Sequence, residues 1–189
     1  MRTLSLKLTG VSPLLMHNGQ TADPLNPFAK AMKQVSGKRK KTEADFLELA
    51  KIEFNAGLYL SDDKKSVVLP TWVLEATLLG GAKKVKSGQA CKAGLFIDND
   101  SILHYDGETS PENLWATSAH VLKTGVRVGM SRVMRTRPMF RNWSCVVDIS
   151  YSDELLNPND IFEFAQHAGQ SVGLCDWRPK FGRFTAQKI

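Results

Sequence analysis

The chain has 189 residues, of which 42% are apolar, and its 25 Lys and Arg outnumber 19 Asp and Glu for a formal charge of +6. That composition excludes a disordered chain, and the length suits one domain that buries roughly 70% of its unfolded surface without a disulfide or metal staple. The three cysteines, Cys91, Cys145 and Cys175, form no C-x-x-C pair, which excludes a zinc knuckle and a thioredoxin-type site and fits a reducing cytoplasm.

In residues 2–10, Leu4, Leu6 and Leu8 alternate with Ser5, Lys7 and Thr9, which predicts a half-exposed strand rather than a signal peptide. Residues 18–41 carry Pro24, Pro27 and Gly37 and read as a long irregular insertion ending in the basic run Lys38, Arg39, Lys40 and Lys41. A helix begins near Thr42, whose spacing to Asp45 is that of a capping box, and Gly57 stops it. Residues 57–60 and 66–69 form a hairpin around a polar turn. Pro70 opens a second helix carrying Trp72, Val73, Ala76 and Leu79, which Gly80 and Gly81 end. Lys83, Lys84, Lys86 and Lys92 flank its exit.

Residues 94–97 read as a short strand and 98–118 as a second, largely acidic insertion. Residues 121–128 predict a strand, followed by an irregular hairpin through Asn142. In residues 143–151, Trp143, Cys145, Val147, Ile149 and Tyr151 share one face of the clearest strand. Asn157 caps a third helix with Pro158 at its first position and Asp160 in its first turn, Gly169 closes it, and residues 181–189 return as a final strand. The order predicts a single α+β domain over residues 1–189: a ferredoxin-like (RRM-like) antiparallel sheet with helices on one face, inserted loops and a protruding basic hairpin.

Chemistry concentrates in two places. Arg127, Arg132, Arg135, Arg137 and Arg141 crowd one window, and Arg127, Arg135 and Arg137 share one side of an unbroken strand. Guanidinium groups grip phosphate bidentately and stack on bases, and the interleaved Met130, Met134, Met139, Phe140 and Trp143 supply side chains that wedge between or stack on bases. The bland alternative is a solvated strand face paired with the acidic loop. The tail is the second place: Gly169, Gly173, Trp177, Arg178, Pro179, Phe181, Gly182 and Arg183 make a glycine-punctuated loop leading into a strand. There the glycines let backbone amides approach a phosphate, and Arg178 or Arg183 lies over Trp177. The bland alternative is a helix C-cap, a loop and a strand bulge.

An opening strand, helices after hairpins, and the ending helix–Gly169-x-x-x-Gly173…Phe181-Gly182-Arg183-Phe184 resemble the RAMP superfamily of CRISPR proteins, including relatives carried by phages or mobile elements. The run Leu69-Pro70-Thr71-x-x-Leu74 resembles the start of a helix after a hairpin in that family. The resemblance covers most of the chain in order of elements but only the tail in motif, and it is greatest to the backbone subunits that polymerise along guide RNA. It implies an RNA-binding role for Arg178 and Arg183, a loop role for Gly169, Gly173 and Gly182, and a protruding hairpin at 127–141. Two departures stand against it: the chain is short for a backbone subunit, and Asp176-Trp177-Arg178-Pro179 stand where the family is richer in glycine. The resemblance also offers His17, shortly after the first strand, as a general acid or base for RNA cleavage, and Asp23, the only acid in residues 18–41, as a cleavage residue.

No P-loop, dinucleotide fingerprint or nucleophile elbow occurs, and neither a cofactor nor a metal is expected. The leading expectation is a non-catalytic protein that binds single-stranded RNA, or single-stranded DNA, and self-associates along it in the cytoplasm of a prokaryotic cell or a phage-infected host. Phosphate would meet Lys38, Arg39, Lys40, Lys41, Lys83, Lys84, Lys86 and the arginine window. The alternatives are a metal-independent endoribonuclease using His17, and an interaction protein for an acidic partner or an existing ribonucleoprotein. No apolar run long enough for a membrane span is present.

Overall fold

The computed structural model describes residues 1–189, the side chain of Val128 excepted. In chain order the elements are β1 (Arg2–Gly10), β2 (Leu14–Leu15), α1 (Pro27–Ser36), α2 (Glu43–Gly57), β3 (Val68–Leu69), α3 (Thr71–Lys84), α4 (Gly88–Gly94), β4 (Leu95–Phe96), β5 (Ser101–Ile102), β6 (His104–Tyr105), β7 (Val121–Val128), β8 (Ser131–Phe140), β9 (Trp143–Tyr151), α5 (Pro158–Ser171) and β10 (Phe184–Lys188). The chain is a mixed α+β protein with antiparallel sheets.

Alternating polarity sets the main sheet. β1 buries Leu6 and Leu8 and exposes Lys7 and Thr9, and β9 buries Trp143, Cys145, Val147, Ile149 and Tyr151. The two strands pair antiparallel from Arg2↔Tyr151 to Thr9↔Ser144. The sheet runs β10-β1-β9-β4, every neighbour antiparallel, with β6 also on β9. α3 and α5 pack together over one face, where Leu74, Leu78, Ile161 and Phe164 join Leu6, Leu8, Val147 and Ile149 in one cluster. Each such side chain contributes about 1.5–3 kcal/mol by leaving water. The other face carries Lys7, Thr9, Val146 and Asp148, all exposed.

A second sheet, β2-β8-β7, grows from the end of β1. β2 pairs Leu14 with Phe140 and Leu15 with Met139, and α2 packs on β8. Val68 and Leu69 of β3 pair with β5, and Leu60 bridges Val67, so the expected hairpin at 57–69 is short.

Several boundaries differ from expectation. Residues 18–41 are not irregular: they hold a 3-10 helix (Gly19–Ala22) and α1. Asn26 caps α1 by accepting from the Phe28 amide, with Pro27 behind it, the same Asn-Pro device that opens α5. α3 does not end at Gly80 and Gly81 but runs on to Lys84. A Cβ at Gly81 would collide with the Phe164 carbonyl, so this glycine serves the contact of α3 with α5. Gly169 likewise lies inside α5, which continues to Ser171, and lets the Phe184 backbone approach. Residues 88–94 form α4, and residues 98–118 carry β5, β6 and a 3-10 turn at Leu114–Ala116. The capping box of Thr42 and Asp45 is present as the sequence predicts.

Candidate nucleic-acid interface

The arginine window is a β-hairpin whose register decides what each side chain faces. β7 and β8 turn at Gly129, which has φ +59°, and Arg127 pairs directly with Arg132. Arg135 and Arg137 pair with Thr124 and Leu122 and so lie on the opposite pleat from Arg132. The expectation that Arg127, Arg135 and Arg137 share one side is therefore corrected, because the turn resets the alternation. All four arginines nonetheless border one groove of about 600 Å³, together with His17, Asp176 and Trp177. Four guanidinium groups there face one carboxylate.

Two of the four are already engaged. Arg137, whose side chain is 12% exposed, donates from Nη1 to Glu53 Oε1 at 3.0 Å and from Nε to Asp176 Oδ2 at 3.3 Å. Arg135 Nη1 reaches the same Glu53 oxygen at 3.4 Å, and the Thr136 amide donates to Glu53 Oε2 at 2.8 Å. Glu53 on α2 thus anchors β8. Arg127 and Arg132 are exposed, and among the described residues neither is paired with a carboxylate. Met130 and Met134 beside them are also exposed.

The tail loop also borders the groove, through Asp176 and Trp177, and is tied to β2 and to the turn before it. The Asp176 amide donates to the Leu15 carbonyl at 2.8 Å, the Gly182 amide to the Pro13 carbonyl at 2.8 Å, and the Leu174 amide to the Gly182 carbonyl at 2.9 Å. The glycines therefore do not offer amides to a phosphate. Gly182 has φ +73°, and a Cβ there would collide with the Leu174 carbonyl, so close backbone approach is its use. The amide of Gly173 is likewise satisfied, by the Ala168 carbonyl. Cys175 and Trp177, at φ +62° and +54°, are non-glycine residues in the left-handed region, a strain of about 1 kcal/mol each. Between them Asp176 accepts from Arg137 and stands 3.9 Å from His17 Nδ1. Trp177 is 45% exposed. Lys180, not Arg178 or Arg183, lies over its ring, 4.9 Å from the centroid.

His17 sits where β2 leaves the hairpin, and burial followed by the Arg137 charge lowers its pKa. A neutral imidazole beside a carboxylate is chemically able to accept a proton. Asp23 lies elsewhere: it is exposed, accepts from the Leu25 amide at 2.9 Å, and borders neither groove next to His17.

The remaining expected contacts divide. Phe140 and Trp143 are 0% and 3% exposed and offer no face to a base. Phe140 packs against Tyr105 and His120, and the Trp143 indole donates to the Ser12 carbonyl at 2.9 Å. The apolar pattern that flagged them is a core pattern, because the base of the hairpin is covered by β2 and β6. Lys38 is paired with Asp45, Arg39 and Lys40 are exposed, and Lys41 is half-buried and donates to the Lys38 carbonyl at 3.1 Å. Lys83, Lys86 and Lys92 border a separate groove with Leu79 and Gln89, and Lys84 is exposed nearby. Arg141, Arg178 and Arg183 are exposed and border neither arginine-lined depression. The basic residues do not all border one depression. The arginine groove and the lysine groove share no lining residue.

Sequence reasoning missed Glu53, Asp176 and α1. Glu53 carries no local signal, since it reads as one polar position of an amphipathic helix. Among the described residues no group of three or more His, Cys, Asp or Glu side chains is arranged to hold a metal ion. Among the described residues no helix is long and apolar enough to cross a membrane. No family model and no curated protein matches the chain.

Proposed function

We propose that this protein binds single-stranded nucleic acid, RNA first, along the hairpin groove, and that it self-associates on the strand as a RAMP-like ribonucleoprotein subunit of the cytoplasm. The observation that carries the reading is the groove itself: Arg127, which donates only to the Gly129 carbonyl at 3.0 Å, and Arg132 have no carboxylate partner among the described residues and line it with Trp177, Arg135 and Arg137. Guanidinium groups without a carboxylate partner suit phosphate, and the part of the Trp177 indole that Lys180 leaves uncovered suits any base, so recognition is tolerant of sequence. The ferredoxin-like reading is supported by the path β1-α3-β4-β9-α5-β10 with spatial order β10-β1-β9-β4 and helices on one face. The exposed sheet face is less suited to the task, since Lys7 is offset there by Asp148 and no tryptophan or tyrosine side chain stands among its exposed residues on β1 and β9.

Fluorescence anisotropy with labelled single-stranded RNA and DNA tests the reading. Binding at about 50 mM salt should weaken steeply by about 200 mM. Absence of binding at the lower salt ends it, and binding only to acidic protein would favour an interaction module.

A second reading has its own support in the contact between His17 and Asp176. A metal-independent ribonuclease would use the neutral imidazole as a base toward a ribose 2′-hydroxyl. Cleavage of RNA in EDTA that disappears in His17→Ala would establish it, and intact RNA after long incubation removes it.

A further inference from the structure

The hairpin groove has a neighbour. A second depression of about 470 Å³ lies between α1, α2 and β8, and His17, Arg135 and Arg137 border both. Its volume falls within the usual range for a small-molecule site. Its lining combines apolar Ala29, Met32, Ala56 and Gly57 with cationic Lys33, Arg135 and Arg137. Three cationic side chains there face one carboxylate, Glu53, so the cavity carries surplus positive charge.

The surplus is available to a ligand. Glu53 is committed to the Thr136 amide, Arg137 and Arg135. Arg135 reaches it through one nitrogen at 3.4 Å, and a guanidinium has five N–H donors. Lys33 sits in the last turn of α1, exposed, with no carboxylate partner among the described residues. The ligand that matches is a flat, largely uncharged body with an anionic group at one edge. A nucleotide has that form.

We propose that this cavity holds one nucleotide of the bound strand, its base against Ala29, Met32 and Gly57 and its phosphate on Lys33 and Arg135. The proposal rests on the nucleic-acid reading above. Arg135 and Arg137, shared by the two depressions, give the strand a route between them. α1, which supplies four residues of the lining, forms one wall. A strand that threads the hairpin groove thus turns one base inward beneath α1.

Photo-crosslinking with a 4-thiouridine-substituted single strand, followed by peptide mapping, tests this on the full chain. Crosslinks are expected in peptides from α1 as well as from the β7–β8 hairpin. Ala29→Trp, which fills the cavity, should remove the α1 crosslinks and weaken strand binding about tenfold, since the buried base and its phosphate contacts are lost together. Lys33→Ala, a surface change that leaves the fold intact, should lower the slope of log affinity against log salt by about one. Strand binding with crosslinks confined to the hairpin, or with an unchanged slope in Lys33→Ala, overturns the cavity assignment while leaving the nucleic-acid reading in place. No strand binding at low salt sinks that reading instead. Binding of free uridine 5′-monophosphate to the cavity, without α1 crosslinks from the strand, would make this a separate nucleotide site and also overturn the proposal.

Discussion

Arg137 on β8 and Asp176 in the tail loop meet at 3.3 Å, although 39 positions separate them in the chain. The same guanidinium holds Glu53 of α2 at 3.0 Å. One side chain therefore joins the hairpin, a helix and the loop after α5, and it does so at the point where the two depressions abut.

Arg137→Ala leaves Glu53 and Asp176 without their shared cation. Removing one member of a part-buried pair strands the charge that remains, and the loss is expected to be about 2 kcal/mol. A fall in the urea midpoint at unchanged slope checks it, and Arg127→Ala, at an exposed unpaired site, should leave the midpoint within about 0.5 kcal/mol.

Gly182→Ala should lower stability by about 2 kcal/mol or more, since the added methyl meets the Leu174 carbonyl and φ is +73°. Gly129→Ala has open space around it and only the positive φ to bear, so about 1 kcal/mol is expected. Thermal melts of the two variants distinguish close packing from conformational strain.

The pKa of His17 lies below its ordinary 6.5, first because of burial and then because of Arg137. The unfolded chain then takes up a proton that the folded chain resists. The stability so gained is whole above about pH 6.5 and is lost as pH falls through the depressed folded value. Urea midpoints measured from about pH 8 to about pH 5 should decline in the wild type and flatten in His17→Asn.

Asp45 works further down the scale. Its hydrogen bonds to Lys38 and Thr42 hold its carboxyl at about 2 against an ordinary 3.8. The contribution is full above about pH 4 and disappears as pH falls through about 2. Asp45→Asn should lower stability at neutral pH and remove that acid limb, read by circular dichroism across the same range.

Arg127→Ala and Arg132→Ala should each lower the salt slope of strand binding by about one, because each removes one phosphate contact. Phe140→Leu should lower stability and leave the slope unchanged, since its ring is fully covered. Anisotropy titrations at several salt concentrations separate the two classes.

Much of the architecture was legible from local pattern. The alternation in residues 2–10 and 143–151 reports a sheet with one covered face, and Thr42 with Asp45 and Asn157 with Pro158 mark true helix starts. The same Asn-Pro signal stands at Asn26 ahead of α1, but Pro24 and Gly37 on either side are equally residues of a loop. Gly81 and Gly169 carry the local signal of a helix stop because glycine is a local breaker, whereas each is placed by a helix or strand distant in sequence.

The chain by itself determined its periodicities, its caps and its crowding of arginines, because these depend on neighbours within a turn or a strand. Which arginines stay free was decided only by folding. Glu53 reaches across 82 and 84 positions to Arg135 and Arg137, and Phe140 is covered by strands from elsewhere in the chain. Charge pairing and burial depend on distance in space, and no local pattern encodes which distant residue will arrive there.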